Sequence, residues 1–185
     1  VILNAAALAR VDACETSQQE AFLVNGHGAG NLAAAAATIG SLLVHYSTDY
    51  IFDGKNPEPY REEDQPNPQS VYGKSKLLGE NLIREHCPDH MILRTSWLFG
   101  KNGANFIRTI LETAHRGSPL RVVSDQKGSP TYSLDLAAHT RMMIEAGCRG
   151  TYHVTNSGSC TWYDLASKTL EWAGIRGTSI TPVKS

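Results

Sequence analysis

Apolar residues along this chain alternate between short continuous runs and longer stretches with helical spacing. Val1-Ile2-Leu3-Asn4 opens it as a buried-strand run with no turn or cap before it. Ser17 and Glu20 have capping-box spacing, so a helix is predicted from Gln18 to Ile39, ended by Gly40. Leu42 to Tyr46 reads as the next strand. Asp53 to Gln69 is rich in Pro, Asp, Glu and Asn and reads as a loop. A helix carrying Tyr72 and Lys76 follows and ends near His86. Met91-Ile92-Leu93 is short and fully apolar, as in a parallel strand covered on both faces. Beyond it come a helix from Asn105 to His115, a strand from Leu120 to Val123, a helix from Leu134 to Ala146 and a strand from Thr151 to Val154. Thr161 and Asp164 offer a second capping box before a helix to Ala173. Strand and helix alternate throughout, which predicts an α/β fold with a mainly parallel sheet.

Composition narrows the function classes. With 185 residues, 41% hydrophobic and 19% charged, the chain can bury a real core. A net charge of -1 without a basic block gives nucleic-acid binding little support. No run approaches the roughly 18–20 apolar residues of a membrane span. Cys14, Cys87, Cys148 and Cys160 are scattered without a CxxC pair and read as reduced thiols rather than a disulfide framework. His86-Cys87-Pro88-Asp89-His90 has a metal-like composition, but it falls where a helix ends and Pro88 is an ordinary stop there. No metal site is assigned. His45 and His153 each lie in a predicted strand and read as structural.

The candidate chemistry lies in Ser47-Thr48-Asp49-Tyr50 and Tyr72-Gly73-Lys74-Ser75-Lys76. Tyr72 and Lys76 are four apart on one helix face. Thr48 stands at a predicted strand end. Reducing a carbonyl with hydride builds negative charge on oxygen, so a proton must arrive there. A free tyrosine has a pKa of about 10 and is a sluggish donor near neutrality. A lysine one turn away is expected to lower that value. Thr48 can hold the carbonyl oxygen toward Tyr72. Asn4-Ala5-Ala6-Ala7 supplies small residues at a strand exit, where a ligand can approach the backbone. A Y-x-x-x-K pair by itself also fits an amphipathic surface helix.

Longer segments make the comparison specific. STDYIFDG (47–54), RTSW (94–97) and DQKGSPT (125–131) occur in that order, together with Asn4-Ala5-Ala6-Ala7, Val24-Asn25, Pro59-Tyr60-Arg61-Glu62, Gly79-Glu80 and Asn105-Phe106. The chain resembles the extended short-chain dehydrogenase/reductase superfamily and, within it, the dTDP-4-dehydrorhamnose reductases. The resemblance implies a Rossmann-like, doubly wound parallel sheet with a smaller C-terminal substrate-binding portion. It divides the chain into a partial dinucleotide-binding region, 1–120, and a partial substrate-binding region, 121–185, intertwined with it.

The implied activity is reduction of the 4-keto group of dTDP-4-dehydro-L-rhamnose by NADPH or NADH, in nucleotide-sugar and surface polysaccharide synthesis in the cytoplasm. Tyr72 would be the general acid, Lys76 its partner and a ribose contact, and Thr48 the group orienting the keto oxygen. Ala5, Ala6, Ala7, Asn25 and Ser47 would complete the cofactor side. Asp49, Tyr50, Trp97, Asn105, Gln126, Ser129, Pro130 and Thr131 would contact the nucleotide-sugar. Some family members dimerise with magnesium at the interface, so Mg2+ and a homodimer are compatible with the resemblance. Several residues read equally as architecture: Trp97 as core, Tyr50 or Phe52 as strand packing, Asn25 as a backbone strut, Asp49 as a loop cap, and Gly128-Ser129-Pro130 as a turn.

Two alternatives share the fold. One is another nucleotide-sugar epimerase, dehydratase or reductase, although Thr48 is followed by Asp49-Tyr50 rather than the Asp-Glu pair a dehydratase wants. The other is a non-catalytic regulatory subunit like the methionine adenosyltransferase beta subunit. The family's Gly-rich phosphate turn has no match here. Gly26-His27-Gly28-Ala29-Gly30 lies inside a predicted helix and is rejected for that role. The expectation is therefore an internal fragment of a longer protein, lacking the first strands of the sheet.

Overall fold

The computed structural model describes residues 1–185. In chain order the elements are β1 (Ile2–Asn4), α1 (Val11–Thr16), α2 (Gln18–Ala21), a π-helical stretch (Phe22–His27), α3 (Gly28–Thr38), β2 (Leu43–Thr48), a 3-10 turn (Asp49–Ile51), α4 (Val71–His86), β3 (His90–Thr95), β4 (Leu98–Phe99) and α5 (Phe106–His115). They continue with β5 (Leu120–Val123), β6 (Lys127–Gly128), β7 (Thr131–Tyr132), α6 (Ser133–Glu145), β8 (Gly150–His153), β9 (Cys160–Thr161), α7 (Trp162–Trp172) and β10 (Ile180–Val183). The chain forms two compact units, Val1–Thr95 with Met142–Val154, and Ser96–Arg141 with Thr155–Ser185. The first unit ends just after β3 and takes up the end of α6 with β8.

The first unit is built on a parallel sheet in the order β1-β2-β3-β8. Both faces are apolar because neighbouring strand residues point to opposite sides. On one side Leu43 and Ile92 pack with Ala29, Ala33, Ala36 and Ile83 from α3 and α4. On the other, Leu42, Val44, Met91 and Leu93 meet Met143, Ile144 and Tyr152. The alanines keep α3 close to the sheet.

One helical prediction needs correcting. Gln18 to Ile39 is not one regular helix opened by a capping box. Ser17 makes no side-chain cap, and its N–H is already bonded to Ala13 O at the end of α1. A helix that runs straight on from a preceding turn has fewer orphan donors to cap. The π-helical stretch then interrupts it around Asn25.

The second unit has its own core. Ile110 and Ala114 of α5, Leu120 and Val122 of β5, and Ala166 and Leu170 of α7 are buried together. The β5–β10 parallel pair lies against them. Here the predicted capping box is present: Thr161 accepts from Asp164 N–H at 3.0 Å, and the Asp164 carboxylate accepts from Thr161 N–H at 3.0 Å.

Candidate active site

In open parallel sheets, ligand sites form beyond the carboxyl ends of the strands. In the first unit those ends are Asn4 of β1, Thr48 of β2 and Thr95 of β3, with Thr48 and Thr95 in register. Ala5, Ala6 and Ala7 follow β1 and are exposed. Their small side chains leave the backbone open to a ligand.

The helix that carries Tyr72 starts where the sequence dictates. Ser70 caps α4 by accepting from Gly73 N–H at 3.1 Å. Gly73 is required because a Cβ there would sit 2.2 Å from Tyr50 O. This close approach seats the first turn of α4 against the 3-10 turn after β2. Tyr72 and Tyr50 meet edge to face at 5.6 Å. The Thr48 side chain is near enough to the Tyr72 hydroxyl to favour its ionised form. Its Oγ1 also lies 3.2 Å from Asp49 Oδ1 and accepts from Tyr50 N–H at 3.2 Å. Thr48 and Tyr72 therefore meet as expected.

The electrostatics differ from expectation. Burial pushes the Tyr72 hydroxyl up to about 12, with Asp49, Cys14 and Tyr50 adding to the rise and Thr48 opposing it. Lys76 does not pull it down, because its head group is directed elsewhere. Nζ donates to Tyr46 O at 2.7 Å and lies 3.1 Å from His45 Nε2. Lys76 is 2% exposed, and burial lowers it to about 8, partly offset by the Glu80 carboxylate. Burial also raises Asp49 to about 6.

Two residues assigned to the cofactor side act as struts. Asn25, in the π-helical stretch, accepts from Leu8 N–H at 2.8 Å and donates to Leu8 O at 3.0 Å and Ser75 Oγ at 3.0 Å. It ties the segment after β1 to α4, so it shapes the site rather than facing a ligand. π-Helical turns are often found at functional sites. Ser47 donates to Glu80 Oε1 at 2.5 Å and is likewise taken up internally.

Other residues have partners that their place in the sequence does not give. Glu80, fully buried, accepts from Arg94 twice and from Arg84, and holds β3 to α4. Arg94 also donates to Glu62 O at 3.0 Å, while Glu62 accepts from His153 N–H at 2.8 Å, which pins the 53–69 loop. Gly79-Glu80 and RTSW had carried the resemblance, yet nothing in their spacing says that Glu80 and Arg94 pair. Thr95 Oγ1 is buried and has no hydrogen-bond partner, a polar atom left over at the strand ends.

Trp97, Asn105, Gln126, Ser129, Pro130 and Thr131 belong to the second unit. There the RTSW and DQKGSPT segments come together. Ser96 Oγ donates to Ser129 O at 2.7 Å, and Thr131 N–H donates to Trp97 O at 3.3 Å. Trp97 has φ +47 and stacks on Trp162 with ring centroids 3.4 Å apart. Left-handed backbone is strained for a bulky residue, and such strain concentrates at functional sites. A Cβ on Gly128 would lie 2.5 Å from the Trp97 ring, so glycine is needed beneath it. Asn105 caps α5 through Arg108 N–H at 3.0 Å, and its amide donates to Gly100 O. Its polar atoms are thus already engaged, while Gln126 is exposed and Thr131 buried.

Comparison with known proteins follows this geometry. A family model described as the RmlD substrate binding domain matches residues 1–185. The spore coat polysaccharide biosynthesis protein SpsK of Bacillus subtilis is 47% identical over 175 residues, covering 95% of this chain and 62% of that protein. A dTDP-4-dehydrorhamnose reductase of Burkholderia thailandensis is 39% identical over 189 residues, covering 97% of this chain and 63% of that one. A crystal structure of dTDP-4-dehydrorhamnose reductase from Bacillus anthracis in complex with NADP matches with a TM-score of 0.95 at 40% identity, covering 100% of this chain and 65% of that one. The chain spans less than two thirds of the length of each of these relatives.

Proposed function

The chain belongs to the RmlD substrate binding domain family, and from that premise we propose that its parent protein reduces the 4-keto group of dTDP-4-dehydro-L-rhamnose to the alcohol of dTDP-L-rhamnose. The observation that carries this reading is the meeting of Thr48 and Tyr72 at the carboxyl end of a parallel sheet, with Lys76 one turn further along α4.

The residues fit a nicotinamide cofactor. Ala5, Ala6 and Ala7 are small and exposed beyond β1, and the Thr95 hydroxyl is unpartnered nearby in the sheet register. On its β2 side Lys76 Nζ is engaged by Tyr46 O and His45 Nε2, which leaves one N–H for a ribose hydroxyl. When bound, NADPH or NADH supplies hydride to the ketone carbon. Tyr72 Oη then gives its proton to the developing alkoxide. Thr48 orients that oxygen by turning its single hydroxyl proton from Asp49 to the substrate. A donor held near 12 stays protonated through neutral pH and transfers its proton only as charge builds on the substrate. The Ser96–Thr131 segments and Trp97 are assigned to the nucleotide-sugar.

Tyr72→Phe in the intact protein tests this. NADPH consumption with the nucleotide-sugar ketone should fall by about 10²–10⁴-fold, the range for a lost general acid. NADPH binding should persist. Turnover near that of the unsubstituted protein would refute the role of Tyr72, and turnover absent from the unsubstituted protein would refute the reduction itself.

A further inference from the structure

His45 read as structural, and its surroundings give it a task. It lies in β2 with 1% of its surface exposed, between Asn4 of β1 and Lys76 of α4. Nδ1 is 2.9 Å from Asn4 Nδ2, and Nε2 is 3.1 Å from Lys76 Nζ. The orientation of the Asn4 amide is set by a third partner, because its Oδ1 accepts from Ala6 N–H at 3.2 Å. The Asn4 NH2 therefore points at His45 and donates to Nδ1. A neutral imidazole carries one proton, so with Nδ1 as acceptor that proton sits on Nε2, facing Lys76.

An Nε2–H and an ammonium N–H cannot both donate into the same gap. A neutral Lys76 amine accepts the Nε2–H and still donates to Tyr46 O. A charged Lys76 forfeits the contact, or forces the Asn4 amide to turn over and lose Ala6. We propose that Asn4 and His45 form a positioning pair that favours the neutral amine of Lys76 and so sets the pH at which this lysine carries its proton.

The other groups facing Lys76 do not supply this preference. From β2 the Tyr46 carbonyl accepts from either form. On its own helix, Tyr72 is neutral, and Glu80 favours the ammonium while sharing its charge with Arg94 of β3 and Arg84. Burial acts in the same direction as His45. His45 itself stays neutral, since burial and Lys76 lower it to about 3. The consequence falls on the segment that opens the site: Asn4 reads the state of Lys76 through His45 and holds Ala6 through the same amide.

This inference rests on Lys76 belonging to the proton-delivery group, but its test does not depend on turnover. The 15N shifts of the His45 ring in the intact protein report the tautomer directly, and 13C titration of the Lys76 ε-carbon reports its protonation. The expected result is an Nε2–H tautomer whenever Lys76 is neutral. Asn4→Asp offers Nδ1 an acceptor and should switch His45 to the Nδ1–H tautomer. Lys76 then gains an acceptor at Nε2, and its midpoint should rise by about one to two pH units, the size of a hydrogen bond to a charged group. His45→Gln, which can turn its carbonyl oxygen to Lys76, should raise the midpoint in the same direction. If Asn4→Asp does not fold, the tautomer of the unsubstituted protein and the His45→Gln titration decide. An Nδ1–H tautomer beside neutral Lys76, or a Lys76 midpoint unmoved in the folded variants, overturns the proposal. Turnover absent from the unsubstituted protein, with these shifts intact, would instead count against the reductase reading.

Discussion

Glu80→Gln is the perturbation whose size can be worked out most fully from the structure. The Glu80 carboxylate is completely buried and shared among three residues. Oε1 accepts from Ser47 Oγ at 2.5 Å and Arg94 Nε at 3.1 Å, and Oε2 accepts from Arg94 Nη2 at 2.8 Å and Arg84 Nη2 at 2.7 Å. These donors hold the carboxyl below its ordinary value despite its burial. Glutamine keeps the shape and one oxygen, but it turns an NH2 toward donors and leaves Arg94, 4% exposed, without a counter-charge. Breaking a buried ion pair from one side costs about 3–5 kcal/mol. The Arg84 contact adds little, because that side chain is 35% exposed and solvent screens it. The expected loss is therefore about 3–5 kcal/mol, a large share of the roughly 5–15 kcal/mol that holds a typical protein together. Urea unfolding of the intact protein, followed by tryptophan fluorescence and circular dichroism, should show a lower midpoint with an unchanged slope. The double variant Glu80→Leu/Arg94→Met should recover much of the loss, since replacing both partners removes the stranded charge. A Glu80→Gln protein destabilised by less than about 1 kcal/mol would refute this account.

Three further outcomes follow from the same geometry. Gly73→Ala gains about 1 kcal/mol of helix propensity but drives a Cβ to 2.2 Å from Tyr50 O, so it should be destabilised by about 1–3 kcal/mol in urea and lose turnover as Tyr72 shifts. Lys76 keeps its proton to about 10.5 when unfolded and only to about 8 when folded, so the unfolded chain binds more protons between those values. Stability should rise by about 3 kcal/mol as pH climbs from 8 to 10.5, and Lys76→Met should abolish that rise in pH-dependent melts. Thr161→Ala removes the side-chain half of the capping box on α7, the Asp164 N–H bond to Thr161 Oγ1, and should cost about 1 kcal/mol by chemical denaturation, whereas Ser17→Ala, which makes no side-chain cap, should cost almost nothing.

Much of this protein is legible locally. The apolar runs at Leu42–Tyr46 and Met91–Leu93 had to be strands buried on both faces, and the i, i+4 spacing of Tyr72 and Lys76 had to place both on one side of a helix. Thr161 and Asp164 formed their capping box because both halves lie within four residues and nothing competes. The same signal at Ser17 came to nothing because α1 ends directly against it, a fact of the chain's path rather than of its spacing. What only the tertiary structure decided is which polar groups meet after long separations in sequence. Glu80 pairs with Arg94 because β3 lies under α4, and Asn25 grips Leu8 because a π-helical stretch turns its side chain inward. Lys76, taken from its spacing as the partner of Tyr72, points instead to β2 and His45. Hydrophobic periodicity is written in neighbouring residues and survives without the fold. A hydrogen bond's direction depends on every donor and acceptor packed around it, and those neighbours are chosen only when the sheet and its helices close.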